Sequence, residues 1–225
     1  MTKAFFERLE TAERKAWNAI HASPSWERLR RGIDRDFYVT LMTQVYHYTK
    51  FNAQNQALVA IKLDSDRLPL LKYCLHHAYT EAGHDLMVLK DLESIGVSAA
   101  SVKASRPLPE TAAFIGYLFR LKERDATARL GYSYWAEGCY PYLEDYLVAL
   151  RRDLKLEPKQ LSFLVAHSVI DKAHLQEVKD ILAETCSEDS ALQDGVVEVL
   201  ETTLHLMKNI YDAVHETHPD KRTTV

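Results

Sequence analysis

The run His167-Ser-Val-Ile-Asp171-Lys-Ala-His174 holds two imidazoles and a carboxylate at a spacing suited to chelation. A helix advances about 100° per residue, which puts Asp171 at about +40° and His174 at about −20° from His167, a fan of about 60°. Phe163, Leu164, Ile170 and Val178 mark that side of the helix as at least partly buried. Such groups on a buried face are costly unless something compensates them. A metal ion does so, taking deprotonated carboxylate and neutral imidazole. The competing reading is a solvated helix face carrying two chance histidines, drawn from 10 in the chain.

Two further elements point the same way. Glu81-Ala-Gly-His84 has the i, i+3 spacing found in di-iron carboxylate bundles. A glycine inside that helix, Gly83, costs up to about 1 kcal/mol against alanine, which suggests close packing or close approach of backbone or metal. An ordinary capping or surface pair is the alternative. Glu137 stands among Tyr132, Tyr134, Trp135, Cys139 and Tyr140. A carboxylate in so apolar a stretch needs a partner, either a tyrosine hydroxyl or a metal. Together these elements supply three carboxylates and three histidines from three helices. That set suits a di-iron or di-manganese site with open positions for O2. Tyr46, Tyr48, Tyr134 and Trp135 are candidates for pocket walls or redox-active neighbours, with Tyr46 and Tyr134 as candidate catalytic residues. Core packing is the commoner role of such aromatics.

The elements that must position these groups read as helices nearly throughout. A stripe from Phe5 and Leu9 through Ala12, Ala16 and Ala19 ends at Ser23-Pro24, and a short helix covers 25–31. Asp34 or Asp36 can cap a long helix to about Leu63. Another runs from about Leu68 to Ile95, with Gly96 beyond its end. A Ser- and Pro-rich loop covers 97–109. Helices follow over about 110–122, 126–154, and 157–184, the last opened by Glu157-Pro158. Ser187-Glu188-Asp189 caps the final helix, which reaches about His215, and the tail 218–225 is polar. Seven or eight helices with short connections make one all-α bundle over 1–217.

Composition sets the outer bounds. The 225 residues are 47% hydrophobic, enough for a sizeable core, and only 7 Gly and 7 Pro leave little turn chemistry for an all-β fold. A net charge of −4 argues against broad nucleic-acid binding. Cys74, Cys139 and Cys186 are an odd number without paired spacing, which fits a reduced, cytoplasmic setting. No apolar run reaches the length of a membrane span, and the N-terminus has no apolar signal core. Arg28, Arg30 and Arg31 read as a solvated helix end. A bundle of this size is compatible with a homodimer.

With these motifs in place the sequence resembles the haem-oxygenase-like di-iron oxidases, relatives of thiaminase II and the pyrroloquinoline-quinone synthase. The resemblance rests on His167-x3-Asp171-x2-His174, on Glu81-x2-His84 within Thr80 to Leu92, and on Glu137 between them. Gln44-Val-Tyr46-His47-Tyr48 is similar to the aromatic helix lining that family's pocket. The likeness spans about Phe37 to Leu182. It implies a bundle of about seven helices around a central cavity, with Glu81, His84, Glu137, His167, Asp171 and His174 as metal ligands. It also implies a pair of Fe(II) ions, or Mn, with O2 as co-substrate, acting on a small organic molecule such as an amino acid or a fatty acid. Some members carry a carboxylate seven residues before the histidine of the first ligand helix. Here that position is His77, so Glu81 must serve, and His77 and His47 read as pocket or core histidines.

Other readings stay open. Tyr134-Trp-Ala-Glu137-Gly138 faintly resembles a haem-oxygenase helix, and His21 would be the axial ligand in a haem-binding member. A thiaminase-like hydrolase would need a cysteine nucleophile beside a carboxylate, for which Cys139 and Cys74 are the candidates. A non-catalytic helical protein would use the histidines as polar core.

Overall fold

Polar residues placed just before apolar runs start some of the helices through side-chain caps. Ser23 caps α2 (Pro24–Arg31), which follows α1 (Thr2–His21). Asp34 accepts the Phe37 N–H at 2.8 Å and caps α3 (Arg35–Thr49). The chain continues through α4 (Asn52–Ala60), α5 (Leu68–Glu81), α6 (His84–Ser94), α7 (Ala99–Ala104) and α8 (Pro109–Arg120). It then forms α9 (Leu130–Gly138), α10 (Glu144–Asp153), α11 (Ser162–Cys186) and α12 (Ser190–Thr217), the last capped by Asp189. This computed structural model describes residues 2–186 and 189–218, apart from the side chains of residues 2 and 169–172. Ser187, Glu188 and the tail beyond His218 lie outside the described residues. No strand occurs among the described residues, and no helix among them is long and apolar enough to cross a membrane.

The expected all-α bundle is present, but three of the expected long helices are broken. The helix expected from Asp34 to Leu63 divides at Lys50-Phe51 into α3 and α4. The one expected over 68–95 divides at Gly83, whose φ of +95° is left-handed. Gly83 therefore separates two helices and does not lie inside one. Nothing lies closer than 3.9 Å to a Cβ built on Gly83, so glycine is needed there for backbone conformation and not for space. The helix expected over 126–154 is interrupted at a 3-10 turn holding Pro141, which lacks the N–H that a continuing helix needs. The expected loop over 97–109 contains α7.

Helix α12 runs through the bundle and packs on α1, α2, α3, α8 and α9. Its tightest crossing is with α9, where a Cβ on Gly131 would sit 2.2 Å from the Val196 carbonyl oxygen and 2.8 Å from Leu200 N. Only glycine lets the two backbones approach so closely. Helix α9 is thereby held between α12 and α11, while α5 and α6 close on α11 from the other side. The apolar core formed by Leu9, Trp17, Tyr38, Leu70, Phe114, Leu182 and Leu204 surrounds this arrangement.

Candidate metal centre

Four helices deliver the polar groups. His77 and Glu81 sit one turn apart on α5, His84 opens α6, Glu137 is near the end of α9, and His167 and His174 share a face of α11. The break at Gly83 turns the chain so that His84 Nδ1 comes 3.3 Å from Glu81 Oε2. His167 Nε2 lies 3.0 Å from His84 Nδ1. On the other side of Glu81, His77 Nε2 donates to Glu137 Oε1 at 2.9 Å, and His174 Nδ1 lies 3.3 Å from Glu137 Oε2. The donor atoms form two groups, His77–Glu81–Glu137–His174 and Glu81–His84–His167, each within 4.8 Å. Glu81 belongs to both.

These groups are withdrawn from water. His77 is 2% exposed, Glu81 and Glu137 6% each, and His167 9%. Burial opposes ionisation of Glu81, yet the adjoining His84, His77 and His167 overcome it and hold the carboxyl at about 2. Burial likewise opposes ionisation of Glu137, but His174 and His77 draw its carboxyl below the usual value. The same contacts raise His84 beside Glu81 and His174 beside Glu137 above the ordinary imidazole value. Burial lowers His167. The His167 Nδ1–H donates to the Phe163 carbonyl at 2.6 Å, which leaves the Nε2 lone pair facing the cluster.

A surrounding layer of hydrogen bonds positions the ligand-bearing helices. Asp91 on α6 is 1% exposed and caps α11: its carboxylate accepts Ser162 N at 2.8 Å, Ser162 Oγ at 2.6 Å and Phe163 N at 2.9 Å. Asn52 donates to Glu81 Oε2 at 2.8 Å. Arg129 bonds the other end of Asn52, together with Asn55 and Ser133.

The donor set fits divalent metal. Carboxylates and imidazoles converge from separate helices, and His77 Nδ1 is a buried nitrogen without a hydrogen-bond partner among the described residues. Of the residues singled out from sequence, the structure brings together Glu81, His84, Glu137, His167 and His174. The side chain of Asp171 lies outside the described residues. His77, read from sequence as a pocket or core histidine, stands inside the cluster; its signal was the i, i+4 spacing to Glu81. His47 is a core histidine: it bonds Ser105 Oγ at 2.9 Å, and burial lowers it to about 4.

A cavity of about 110 Å³ adjoins the cluster. Glu81, Glu137 and His167 line one part, and Trp26, Phe37, Met42, Trp135 and Tyr146 line much of the rest. Among the described residues no Lys or Arg lines it. Tyr48 and Trp135 face it, but the candidate catalytic residues Tyr46 and Tyr134 do not line it. About 200° of helix rotation separates Tyr46 from Tyr48, and about 100° separates Tyr134 from Trp135. Tyr46 lies instead beneath Lys50, and Tyr134 beneath Lys179. His21 bonds the Tyr142 carbonyl at 3.0 Å and belongs to neither donor group. Cys139 lines the cavity. Cys74 does not, and burial pushes its thiol up to about 11, which disfavours the nucleophilic thiolate.

A family model described as iron-containing redox enzyme matches residues 39–208. The crystal structure of a domain of unknown function with a heme oxygenase-like fold, from Shewanella denitrificans, is 38% identical. It superposes with a TM-score of 0.90, covering 98% of this chain and 96% of that one. A TenA homologue from Pyrococcus furiosus (16% identity, TM-score 0.73, 93% and 99% covered) shares the fold. So does a TenA homolog from Pseudomonas syringae (14% identity, TM-score 0.77, 95% and 93% covered). No curated protein matches the sequence.

Proposed function

The chain belongs to the family of iron-containing redox enzymes with the haem-oxygenase-like fold, and from that premise we propose that it is a non-haem di-iron oxidase using O2 on a small, largely apolar organic substrate. The observation that carries this reading is the pair of donor groups sharing Glu81. One carboxylate common to two clusters of imidazole and carboxylate is the arrangement that two adjacent cations need. Asp171, one turn from both His167 and His174 on α11, is the further carboxylate the reading assigns there.

A pair of Fe(II) ions held by these residues would supply the electrons for O2 reduction. The chain's own residues do the rest. Glu81 and Glu137 bring negative charge into a buried site, and His84 and His174 give up protons to become neutral ligands. His167, fixed through its Nδ1–H on Phe163, presents a ready lone pair. Trp26, Phe37, Met42 and Trp135 exclude water and hold the substrate's apolar body beside Glu81 and Glu137.

The test is metal content after anaerobic reconstitution with Fe(II), on wild type and on His174→Ala. The reading expects about two irons per chain in wild type, halved or lost in the variant, with absorbance that develops on exposure to O2. Equal, negligible iron in both proteins sinks it. A thiol-dependent hydrolase is the second reading, favoured by Cys139 on the cavity wall two residues from Glu137. Metal-independent turnover abolished by Cys139→Ser would select it.

A further inference from the structure

Arg129 is 1% exposed, and among the described residues no ion pair is recorded for it. A guanidinium buried without a paired carboxylate is costly, so its hydrogen bonds must be accounted for. Its Nε and Nη2 donate to Asn55 Oδ1 at 3.2 and 2.8 Å, its Nη1 to Ser133 Oγ at 3.0 Å, and its Nη2 also to Asn52 Oδ1 at 3.2 Å. Its face lies 4.0 Å over the Tyr132 ring. Each partner is neutral. Asn52 alone among them continues to a charge, because its Nδ2 donates to Glu81 Oε2 at 2.8 Å.

The chemistry fixes the amide's orientation. A guanidinium only donates and a carboxylate only accepts, so Asn52 must turn its oxygen to Arg129 and its NH2 to Glu81. Asn52 is 5% exposed and sits at the first turn of α4, where the break after α3 brings it to both partners. An ionised carboxylate has about four lone-pair positions. The Asn52 donor occupies one on Oε2, leaving a position on each oxygen for a metal. From this we infer that Asn52, oriented by Arg129, is a positioning residue that holds Glu81 in the plane required to serve both metal positions. The inference rests on the di-metal reading above. Neither Asn52 nor Arg129 touches the metals; they act through Glu81, as partners in a metal site's outer layer do.

Asn55 provides an internal control. It also accepts from Arg129 and is buried, at 1% exposed, but its Nδ2 donates to the Phe51 carbonyl and not to Glu81. The experiment is anaerobic Co(II) titration of the metal-free full-length chain, wild type against Asn52→Leu and Asn55→Leu, following the visible Co(II) spectrum. Circular dichroism checks the fold. Asn52→Leu is expected to lose about 10- to 100-fold in Co(II) affinity and to shift the spectrum, while Asn55→Leu, which loosens Arg129 but leaves the Asn52–Glu81 bond in place, loses clearly less. If Asn52→Leu fails to fold, Asn52→Ser serves in its place, since a hydroxyl is too short to span Arg129 and Glu81. An Asn52 variant with wild-type affinity and spectrum overturns the inference and leaves the metal reading standing. Equal losses in the Asn52 and Asn55 variants also overturn it, since the role would then be general packing. Wild type without bound Co(II) overturns the metal reading and this inference with it.

Discussion

His84 and His174 are each held above the ordinary imidazole value by an adjoining carboxylate, and a metal accepts only their neutral form. In the metal-free chain both therefore keep their protons beyond the ordinary value of 6.5, and the metal must displace them. Affinity for Fe(II) or Co(II) is expected to rise with pH through about 6.5 and to level off only above the raised values, where both groups deprotonate unaided. Titrations at several pH values check this, and a pH-independent affinity would contradict it. Glu13 also holds its proton beyond the ordinary value, but for a different reason. Burial raises its carboxyl to about 7, and its Oε1 has no hydrogen-bond partner among the described residues. The unfolded chain releases this proton near 4.5 while the native chain holds it to about 7. Stability therefore falls as pH rises through that window. Glu13→Gln should match wild type at about pH 4 and exceed it by roughly 1–3 kcal/mol above pH 7, as read by urea denaturation.

At the scale of elements, the site depends on how α11 is anchored. Its first backbone donors bond a carboxylate on α6, the helix that also carries His84. Asp91→Ala would strip a buried cap from Ser162 and Phe163. The expected cost is roughly 2–4 kcal/mol in denaturant unfolding, because the donors left behind are buried. The same variant should bind metal more weakly, since His167 and His174 ride on α11. A loss of stability without any loss of metal affinity would show that α11 keeps its place by other contacts. Gly131 fixes α9 in the same sense: the crossing with α12 leaves no room for a methyl group, so the depth of Glu137 in the bundle is set by a residue two turns away.

Across the whole molecule, the donor groups join α5, α6, α9 and α11, which also meet through packing and through the Asp91 cap between α6 and α11. A metal bound to the native form and not to the unfolded chain stabilises it by about 2.7 kcal/mol at a hundredfold excess over its dissociation constant. For a chain of this size that amounts to roughly 5–10 °C for one site. Thermal unfolding with and without Fe(II) under anaerobic conditions measures it directly. An unchanged transition would mean that these four helices are not linked through metal.

Several features were legible from residue order because their causes are local. Helical periodicity, the caps at Ser23, Asp34 and Asp189, and the shared face of His167 and His174 all follow from neighbours within a few residues. The broken helices were harder to see. Apolar periodicity continues across Lys50-Phe51 and Gly83, so the pattern alone does not reveal where the backbone turns. From sequence His77 reads as a pocket or core histidine; only the approach of α9, sixty residues away in sequence, brings the Glu137 carboxylate to it. Asn52 and Arg129 carried no signal, since a neutral amide and an isolated arginine acquire meaning only from what they touch. Sequence thus determined the all-α fold and the residue types able to hold a metal. Tertiary structure decided which of them converge, that Glu81 is common to both groups, and that Tyr48 and Trp135 face the cavity while Tyr46 and Tyr134 do not. The physical reason is range: capping and periodicity act within one helix, whereas hydrogen bonds and ligand distances near 3 Å depend on the packing of four helices against one another.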